Sequence, residues 1–264
     1  LYMDEIDEPA LSRYPEDAHV EFRNVSFAYN TTTILKEVSF TANPGTVTAL
    51  VGPSGAGKST IAMLAARFWD IQDGEILIGN VPIKEIPTSV LMDNIALVFQ
   101  DNMLFFDTIE ENIRMGNKTA TFEDVKRAAC AAQCHEFIEA LPDGYQTLVG
   151  EGGTYLSGGE MQRLALARAI LKDAPVILLD EATAFADPEN EGKILEAFSH
   201  LIKGKTVLVI AHRLGTITNA DHILYLDKGM ITEKGTHEEL LALHGAYAHM
   251  WKTYNRAKEW IIDR

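Results

Sequence analysis

The chain has 264 residues, of which 47% are hydrophobic and 23% charged, a composition that excludes a disordered or collagen-like protein. Acidic residues outnumber basic ones by 38 to 23, which gives a formal net charge of -15. This charge repels nucleic acid unless a basic patch is present, and the sequence has no such patch, so we expect no nucleic-acid partner.

The acidic residues are concentrated at the start of the chain, where residues 1–17 carry six acids opposed only by Arg13. This predicts a solvated linker or, equally, a plain tail. The chain opens on Leu1 rather than methionine, which predicts a piece of a longer protein. We find no membrane span or signal peptide and expect a cytosolic segment. Cys130 and Cys134 lie four residues apart in a helical run, and we expect them to share one helix face as packing residues or free thiols in a reducing compartment.

Two segments near the N-terminus alternate apolar and polar residues. They are "VEFRNVSFAY" (20–29) and "ILKEVSFTA" (34–42), with the turn-like "NTTT" between them. This pattern is typical of half-exposed strands and predicts an antiparallel sheet.

Three later runs are continuously apolar, as strands buried on both faces are: "IALVF", "VILLD" and "TVLVIAH". Before them, "TVTALVG" leads into a glycine-rich loop and a helical segment, "STIAMLAARFW". Together they predict a parallel, doubly wound α/β core.

The segment between this core's strands reads mainly as helix, as in "TFEDVKRAACAAQ" and "EMQRLALARAILK". We therefore expect a domain over 18–264 with its core at 18–99 and 173–264 and a helical insertion at 100–172. A hairpin, "HILYLDKGMITEKG", and one C-terminal helix from His237 close the chain. Five side chains at helical spacing are expected to pack rather than bind a ligand: Leu240, Leu243, Tyr247, Trp251 and Tyr254.

The segment "GPSGAGKS", Gly52 to Ser59, matches the phosphate-binding pattern G-x-x-x-x-G-K-[ST] between a strand and a helix. Its glycines let the backbone wrap the β- and γ-phosphates, Lys58 supplies a point charge, and the Ser59 hydroxyl suits a Mg²⁺ ligand. The fold expected is therefore that of a P-loop NTPase, with a RecA-like core built on a mixed sheet, an N-terminal antiparallel part and a helical insertion.

A second loop, "LSGGE", also predicts a helix start that can face an anion. Ser157 and Glu160 have the spacing of a capping box, and the intervening glycines leave early amides uncovered. Two phosphate-facing loops in one chain require either two ligands or two copies of the chain.

Polar residues follow the ends of the buried strands, where open α/β sheets place ligand sites. Asp180 fits a metal-orienting role, and Glu181 fits a base that positions the attacking water or, alternatively, a carboxylate that caps the next helix. His212 and Gln100 each close an apolar strand and fit either a structural role or contacts with the γ-phosphate, metal and water. Tyr29 fits either adenine stacking or strand packing.

The order of these elements resembles the nucleotide-binding domain of ATP-binding cassette transporters, from about His19 to the C-terminal helix. The resemblance makes Gln100 the Q-loop residue, Glu181 the catalytic glutamate beside the Walker B Asp180, and His212 the switch histidine. It implies ATP and Mg²⁺ as ligands, with Ser59, Gln100 and Asp180 at the metal. The nucleotide-binding positions that it implies are Tyr29, Gly52, Pro53, Ser54, Gly55, Ala56, Gly57, Lys58, Ser59, Thr60, Ser157, Gly159 and the D-loop Asp187.

The resemblance also implies partners. Two cassettes pair head to tail, so that Ser157 and Gly159 of one complete the ATP site of the other. The segments "DNMLFFDTIEENI" and "VGEGG" are similar to the exporter branch, in which the cassette is fused behind a membrane domain at the cytoplasmic face of the membrane. The resemblance makes residues 1–17 the acidic linker from that membrane domain. Glu151 lies in the loop expected to touch that domain's coupling helices.

Two positions depart from the common pattern of the family. Glu160 stands where many members have glutamine, and the capping box gives its carboxylate somewhere to turn. The D-loop, "AFADPENE", is similar to that of siderophore-related transporters built on the exporter fold, which leaves the direction of transport open.

Three other functions share part of this pattern. An importer cassette made as a separate subunit is the nearest alternative. A soluble cassette ATPase of DNA repair would carry long coiled-coil heptads, which this sequence lacks. A P-loop phosphotransferase would leave "LSGGE" and His212 without a role.

Overall fold

The computed structural model describes residues 8–9, 12–99, 103–180, 188–211 and 214–262. Its strands are β1 (Val20–Tyr29), β2 (Thr32–Ala42), β3 (Val47–Val51), β4 (Asp73–Ile78), β5 (Val81–Pro82), β6 (Ile95–Val98), β7 (Asp107–Thr108), β8 (Leu148–Val149), β9 (Val176–Asp180), β10 (Thr206–Ile210), β11 (His222–Asp227) and β12 (Met230–Gly235). Its α-helices are α1 (Lys58–Ala65), α2 (Thr88–Asn94), α3 (Ile109–Arg114), α4 (Phe122–Ala131), α5 (His135–Glu139), α6 (Gly158–Lys172), α7 (Pro188–Ile202), α8 (Leu214–Thr218), α9 (His237–Ala242) and α10 (Ala246–Ile262), with short 3-10 helices at Ile83–Glu85 and Gly144–Gln146.

The N-terminal part is an antiparallel sheet in the order β2-β1-β4-β5, as the alternating pattern predicts. The predicted bounds of β1 are confirmed, and β2 begins two residues earlier than expected, at Thr32. β4, β5 and α2 have no counterpart among the predicted elements. Phe22 on β1 stacks on Phe40 of β2 with ring centroids 4.7 Å apart, which fixes the two strands face to face.

The second sheet has the order β12-β11-β3-β10-β9-β6, in which only the β11–β12 pair is antiparallel. This mixed sheet confirms the predicted fold class. All five residues of β10 are buried, which explains why its sequence is continuously apolar. Because β3 and β9 flank β10 in parallel, their carboxyl ends meet at one edge of the sheet, which brings the Gly52 loop and Asp180 together.

The region expected to be helical contains α3 to α6, with α6 packed against α3 and α4. It also holds a pair of two-residue strands, β7 and β8, which are too short to leave a pattern in the sequence. The prediction that Cys130 and Cys134 share a helix face is wrong, because α4 ends at Ala131. Cys130 is exposed, whereas Cys134 lies beyond the helix and is buried.

The C-terminal hairpin is confirmed, since β11 and β12 pair antiparallel. The single C-terminal helix is not: α9 and α10 are separated at residues 243–245, where His244 has a left-handed φ of 50°. Leu240 and Tyr247 are buried as expected, but Leu243 and Tyr254 are exposed, so the packing role is wrong for those two. Within the described ranges, no helix combines the length and hydrophobicity that a membrane span requires.

Candidate nucleotide site

The glycine-rich loop joins β3 to α1 at the carboxyl edge of the mixed sheet. Gly52 has a φ of 139°, and a Cβ there would lie 2.1 Å from the carbonyl oxygen of Leu226 on β11. Gly57, the N-cap of α1, has a φ of 101°, and a Cβ there would lie 2.6 Å from the Leu35 side chain. Only glycine fits these two positions, so the motif's spacing follows from the close packing of the loop on its neighbours.

Lys58 is buried beneath this loop, with 8% of its surface exposed. Its ammonium donates hydrogen bonds to the carbonyl oxygens of Gly52 and Pro53, at 2.8 and 2.9 Å. Burial lowers the pKa of Lys58, and the nearby carboxylate of Asp180 opposes that shift. The loop is thus shaped around one cation at its centre.

Ser59 and Asp180 bring the two predicted metal-binding segments into contact. The Ser59 hydroxyl donates to Oδ2 of Asp180 at 3.2 Å, which joins the start of α1 to the end of β9. A hydroxyl and a carboxylate are hard oxygen donors of the kind that Mg²⁺ prefers, so this pair fits that ion.

A cavity of about 640 Å³ opens beside the loop, a size in the range of small-molecule sites. Most of the predicted phosphate-loop residues line it, together with Asp180: Gly52, Pro53, Ser54, Gly55, Gly57, Lys58, Ser59 and Thr60. Ala56 instead is buried in a hydrophobic cluster that combines residues of the antiparallel sheet and the mixed sheet. Five further lining residues were not predicted: Ile34, Ile210, Tyr225, Met250 and Tyr254.

The unpredicted residues differ in whether the sequence could have revealed them. Ile210 and Tyr225 lie toward the carboxyl ends of β10 and β11, the two strands that flank β3. A sequence prediction that included this strand order would have placed both residues beside the phosphate loop. Met250 and Tyr254 come from α10, and their helical spacing gives no such signal.

Tyr29 does not line this cavity among the described residues. Its ring meets Phe27 and Trp69 edge to face, with centroids 4.7 and 5.3 Å away, and its hydroxyl donates to the sulfur of Met63 at 3.9 Å. Of the two roles that the sequence allows for Tyr29, adenine stacking and strand packing, this structure shows packing.

The "LSGGE" loop begins α6 with the predicted capping box, which is confirmed. The Glu160 amide donates to the Ser157 hydroxyl oxygen at 3.3 Å, and the Ser157 amide donates to the Glu160 carboxylate at 2.8 Å. Ser157 is exposed and Gly159 is buried, and neither lines the 640 Å³ cavity. Within one chain, therefore, Ser157 and Gly159 do not share a cavity with the phosphate loop.

Four predicted site residues, Gln100, Glu181, Asp187 and His212, lie outside the described residues. Two of them adjoin described strands: β9 ends at Asp180, immediately before Glu181, and Ala211 after β10 is buried immediately before His212.

A sequence profile described as ABC transporter matches residues 35–184, which is more than half of the chain. The chain belongs to the ABC transporter family. The matched region contains both the phosphate loop and "LSGGE", so this ABC transporter domain is an ATP-binding one, as the sequence predicts.

Individual relatives cover nearly all of this ABC domain. It is 47% identical over 242 residues to an ATP-dependent lipid A-core flippase of Desulfotalea psychrophila, spanning 91% of the chain and 42% of the relative. It is 51% identical over 237 residues to the mycobactin import ATP-binding/permease protein IrtA of Mycobacterium tuberculosis, spanning 89% of the chain and 28% of the relative. The chain thus spans less than half the length of these relatives.

The fold is shared with a solved transporter. A bacterial Atm1-family ABC exporter with ATP bound aligns with a TM-score of 0.87 and 43% identity, over 95% of this chain and 44% of that one. The family profile, the relatives and the solved structure together confirm the predicted exporter-type family and its P-loop NTPase fold.

Proposed function

We propose that this chain is the ATP-hydrolysing motor domain of an exporter-type ABC transporter. The observation that carries the proposal is the Ser59–Asp180 contact, because it joins two motifs 121 residues apart beside the phosphate loop. A glycine-rich loop alone would bind phosphate. A loop whose hydroxyl meets a strand-end carboxylate also suits the metal that accompanies a nucleoside triphosphate.

The described residues have distinct roles in this proposal. The backbone from Gly52 to Gly57 wraps the phosphates, and Lys58 exchanges its two carbonyl partners for phosphate oxygens. Ser59 and Asp180 would hold Mg²⁺ together with Gln100, and the ion when bound offsets the phosphate charge. Glu181 orients the attacking water and His212 donates to the γ-phosphate; both roles come from the family resemblance.

A second cassette would complete the site. Ser157 and Gly159 lie at the start of α6, away from the cavity that holds the phosphate loop of the same chain. A two-fold head-to-tail pair would use both loops twice, at two equivalent ATP sites. The contact between one chain's phosphate loop and the other chain's Ser157 loop occurs twice in such a pair. A homodimer or a closely matched heterodimer can form both contacts.

An exposed apolar patch supports the proposed membrane-domain partner. Met103, Phe105, Phe106 and Tyr155 are 50% to 89% exposed, and Gly150 lies so close to the Phe105–Phe106 backbone that a Cβ there would be 2.6 Å from it. A cavity of about 520 Å³ adjoins this patch and includes Glu151. Contiguous exposed apolar side chains mark a docking surface. We propose that coupling helices dock here, which places the chain at the cytoplasmic face of the membrane.

The relatives carry different cargoes: one is named for lipid A-core and the other for mycobactin import. The siderophore-like D-loop favours a siderophore-related branch.

Calorimetric titration with ATP, in the presence and absence of Mg²⁺, tests the proposal directly. We expect the chain to bind MgATP, Lys58→Ala to abolish or severely weaken binding, and Ser59→Ala to remove mainly the dependence on Mg²⁺. Equal affinity for Lys58→Ala and the unmutated chain, with both folded by circular dichroism, would contradict the proposed site.

A further inference from the structure

The C-terminal helix α10 is anchored firmly at its first turn. The Glu233 carboxylate accepts hydrogen bonds from the amides of Ala246 and Tyr247, at 2.6 and 3.1 Å, which satisfies two donors that the helix leaves unpaired. Tyr247 is fully buried, and its hydroxyl is hydrogen-bonded to Nδ1 of His237 at 2.6 Å. Trp251 covers the same His237 ring at 4.4 Å between centroids. This cluster fixes the direction in which α10 leaves the core.

That direction brings one side of α10 to the phosphate loop. Met250 and Tyr254, four residues apart and so on the same helix face, line the 640 Å³ cavity together with Gly52, Lys58 and Asp180. Tyr254 is 41% exposed, whereas Tyr247 and Leu240, which precede it at intervals of seven residues, are fully buried. Its hydroxyl makes no hydrogen bond with any residue in the described ranges. An aromatic side chain at this position therefore offers both a ring and a polar atom to a ligand in the cavity.

We propose that Met250 and Tyr254 are nucleotide-contacting residues, forming a wall of the ATP site that none of the sequence motifs contains. This inference rests on the proposed function. A triphosphate held on the phosphate loop would fill the cavity against this wall, and the Tyr254 hydroxyl would donate to it. Nucleotide occupancy would then also reduce the motion of α10.

Titration of the purified chain with MgATP tests this assignment. Tyr254→Ala is expected to weaken binding by about three- to tenfold, the worth of one hydrogen bond and the accompanying contact. Tyr254→Phe keeps the ring but not the hydroxyl, so its affinity for MgATP should lie between those of Tyr254→Ala and the unmutated chain. Tyr14→Ala is the matched control, because Tyr14 is also an exposed tyrosine but lies outside the cavity, and it should leave affinity unchanged.

Amide hydrogen exchange gives an independent measurement on the unmutated chain. MgATP is expected to slow exchange in the middle of α10 as well as in the phosphate loop. Unchanged affinity in Tyr254→Ala together with unchanged exchange in α10 would overturn the inference, as would tighter binding by Tyr254→Ala, which would mean that the ring obstructs the cavity. Including Lys58→Ala separates the two proposals: if this variant binds like the unmutated chain, the proposed ATP site itself fails.

Discussion

Ser157 and Glu160 satisfy each other at the start of α6. Besides the reciprocal amide bonds, the Ser157 hydroxyl donates to Oε2 of Glu160 at 2.7 Å. This one carboxylate oxygen therefore accepts hydrogen bonds from both the amide and the hydroxyl of Ser157. In a head-to-tail pair this serine must reach the partner's γ-phosphate, and the carboxylate then stands close to another anion. The same reciprocal amide hydrogen bonds join Thr236 and Glu239, far from any phosphate loop in the sequence.

Glu160→Gln should therefore strengthen ATP-dependent pairing. Glutamine keeps an oxygen acceptor for the Ser157 amide but removes the negative charge, and at separations near 6 Å that charge is worth at least about threefold in affinity. Sedimentation velocity with MgATP would measure the pairing. Glu239→Gln is the matched control and should change the free energy of unfolding without changing dimer affinity. Weaker pairing in Glu160→Gln would contradict the argument.

Glu181→Gln should slow ATP hydrolysis by at least about 100-fold, the usual contribution of a general base, while ATP binding is retained. Because hydrolysis no longer separates the pair, an ATP-dependent dimer should become visible by size exclusion. Phosphate release at saturating ATP measures the first effect. Turnover equal to that of the unmutated chain would remove Glu181 from the catalytic role.

Mixing two inactive variants should restore activity if the sites are shared between chains. A chain with Lys58→Ala and one with Ser157→Arg each damage both sites of their own homodimer. In a mixed dimer one site combines the intact phosphate loop with the intact serine, so random pairing should recover at most about a quarter of the unmutated ATPase activity. No recovery at concentrations where mixed dimers form would argue that both loops serve one nucleotide within one chain.

Tyr29→Ala distinguishes adenine stacking from strand packing. If Tyr29 leaves its contacts with Phe27 and Trp69 to stack on the base, its loss should weaken ATP binding by about five- to 150-fold and leave turnover at saturating ATP nearly unchanged. If it only packs, the free energy of unfolding should fall and the affinity of the folded protein should not. Measuring both quantities on one preparation separates the outcomes.

Gly52→Ala should disrupt the phosphate loop, because the added Cβ would lie 2.1 Å from the Leu226 carbonyl oxygen at a φ that alanine rarely adopts. We expect the free energy of unfolding to fall by more than about 1 kcal/mol and ATP binding to be lost. Gly204→Ala is the control, since its φ is 72° but a Cβ there meets nothing within 4 Å. A similar loss in both variants would show that strain alone, and not the contact with β11, matters at Gly52.

The sequence alone predicts those elements whose structure is determined by residues close together in the chain. The continuous apolar runs of β6, β9 and β10, the phosphate loop and the Ser157 capping box are all of this kind. The break at His244 was missed because the hydrophobic spacing continues across it. Tyr254 was expected to pack for the same reason, since helical spacing shows that residues share a face but not whether that face meets the core or a cavity. The short strands β7 and β8 pair with each other across a segment that contains α3 to α5, and two residues are too few to leave a periodic signal.

The pairing of β3 sets the order in which the site can form during synthesis. The strand that leads into the phosphate loop spans Val47–Val51, yet both of its neighbours, β10 and β11, come from residues 206–227. Such non-local contacts form late and slowly, because a long loop must close before they are made. The phosphate-loop sequence therefore leaves the ribosome early in synthesis. The nucleotide site cannot fold until β11 has also been synthesised, because β3 pairs with β10 and β11. Until then both hydrogen-bonding edges of β3 are unpaired, and unpaired strand edges make a partly folded chain prone to aggregation and dependent on chaperones.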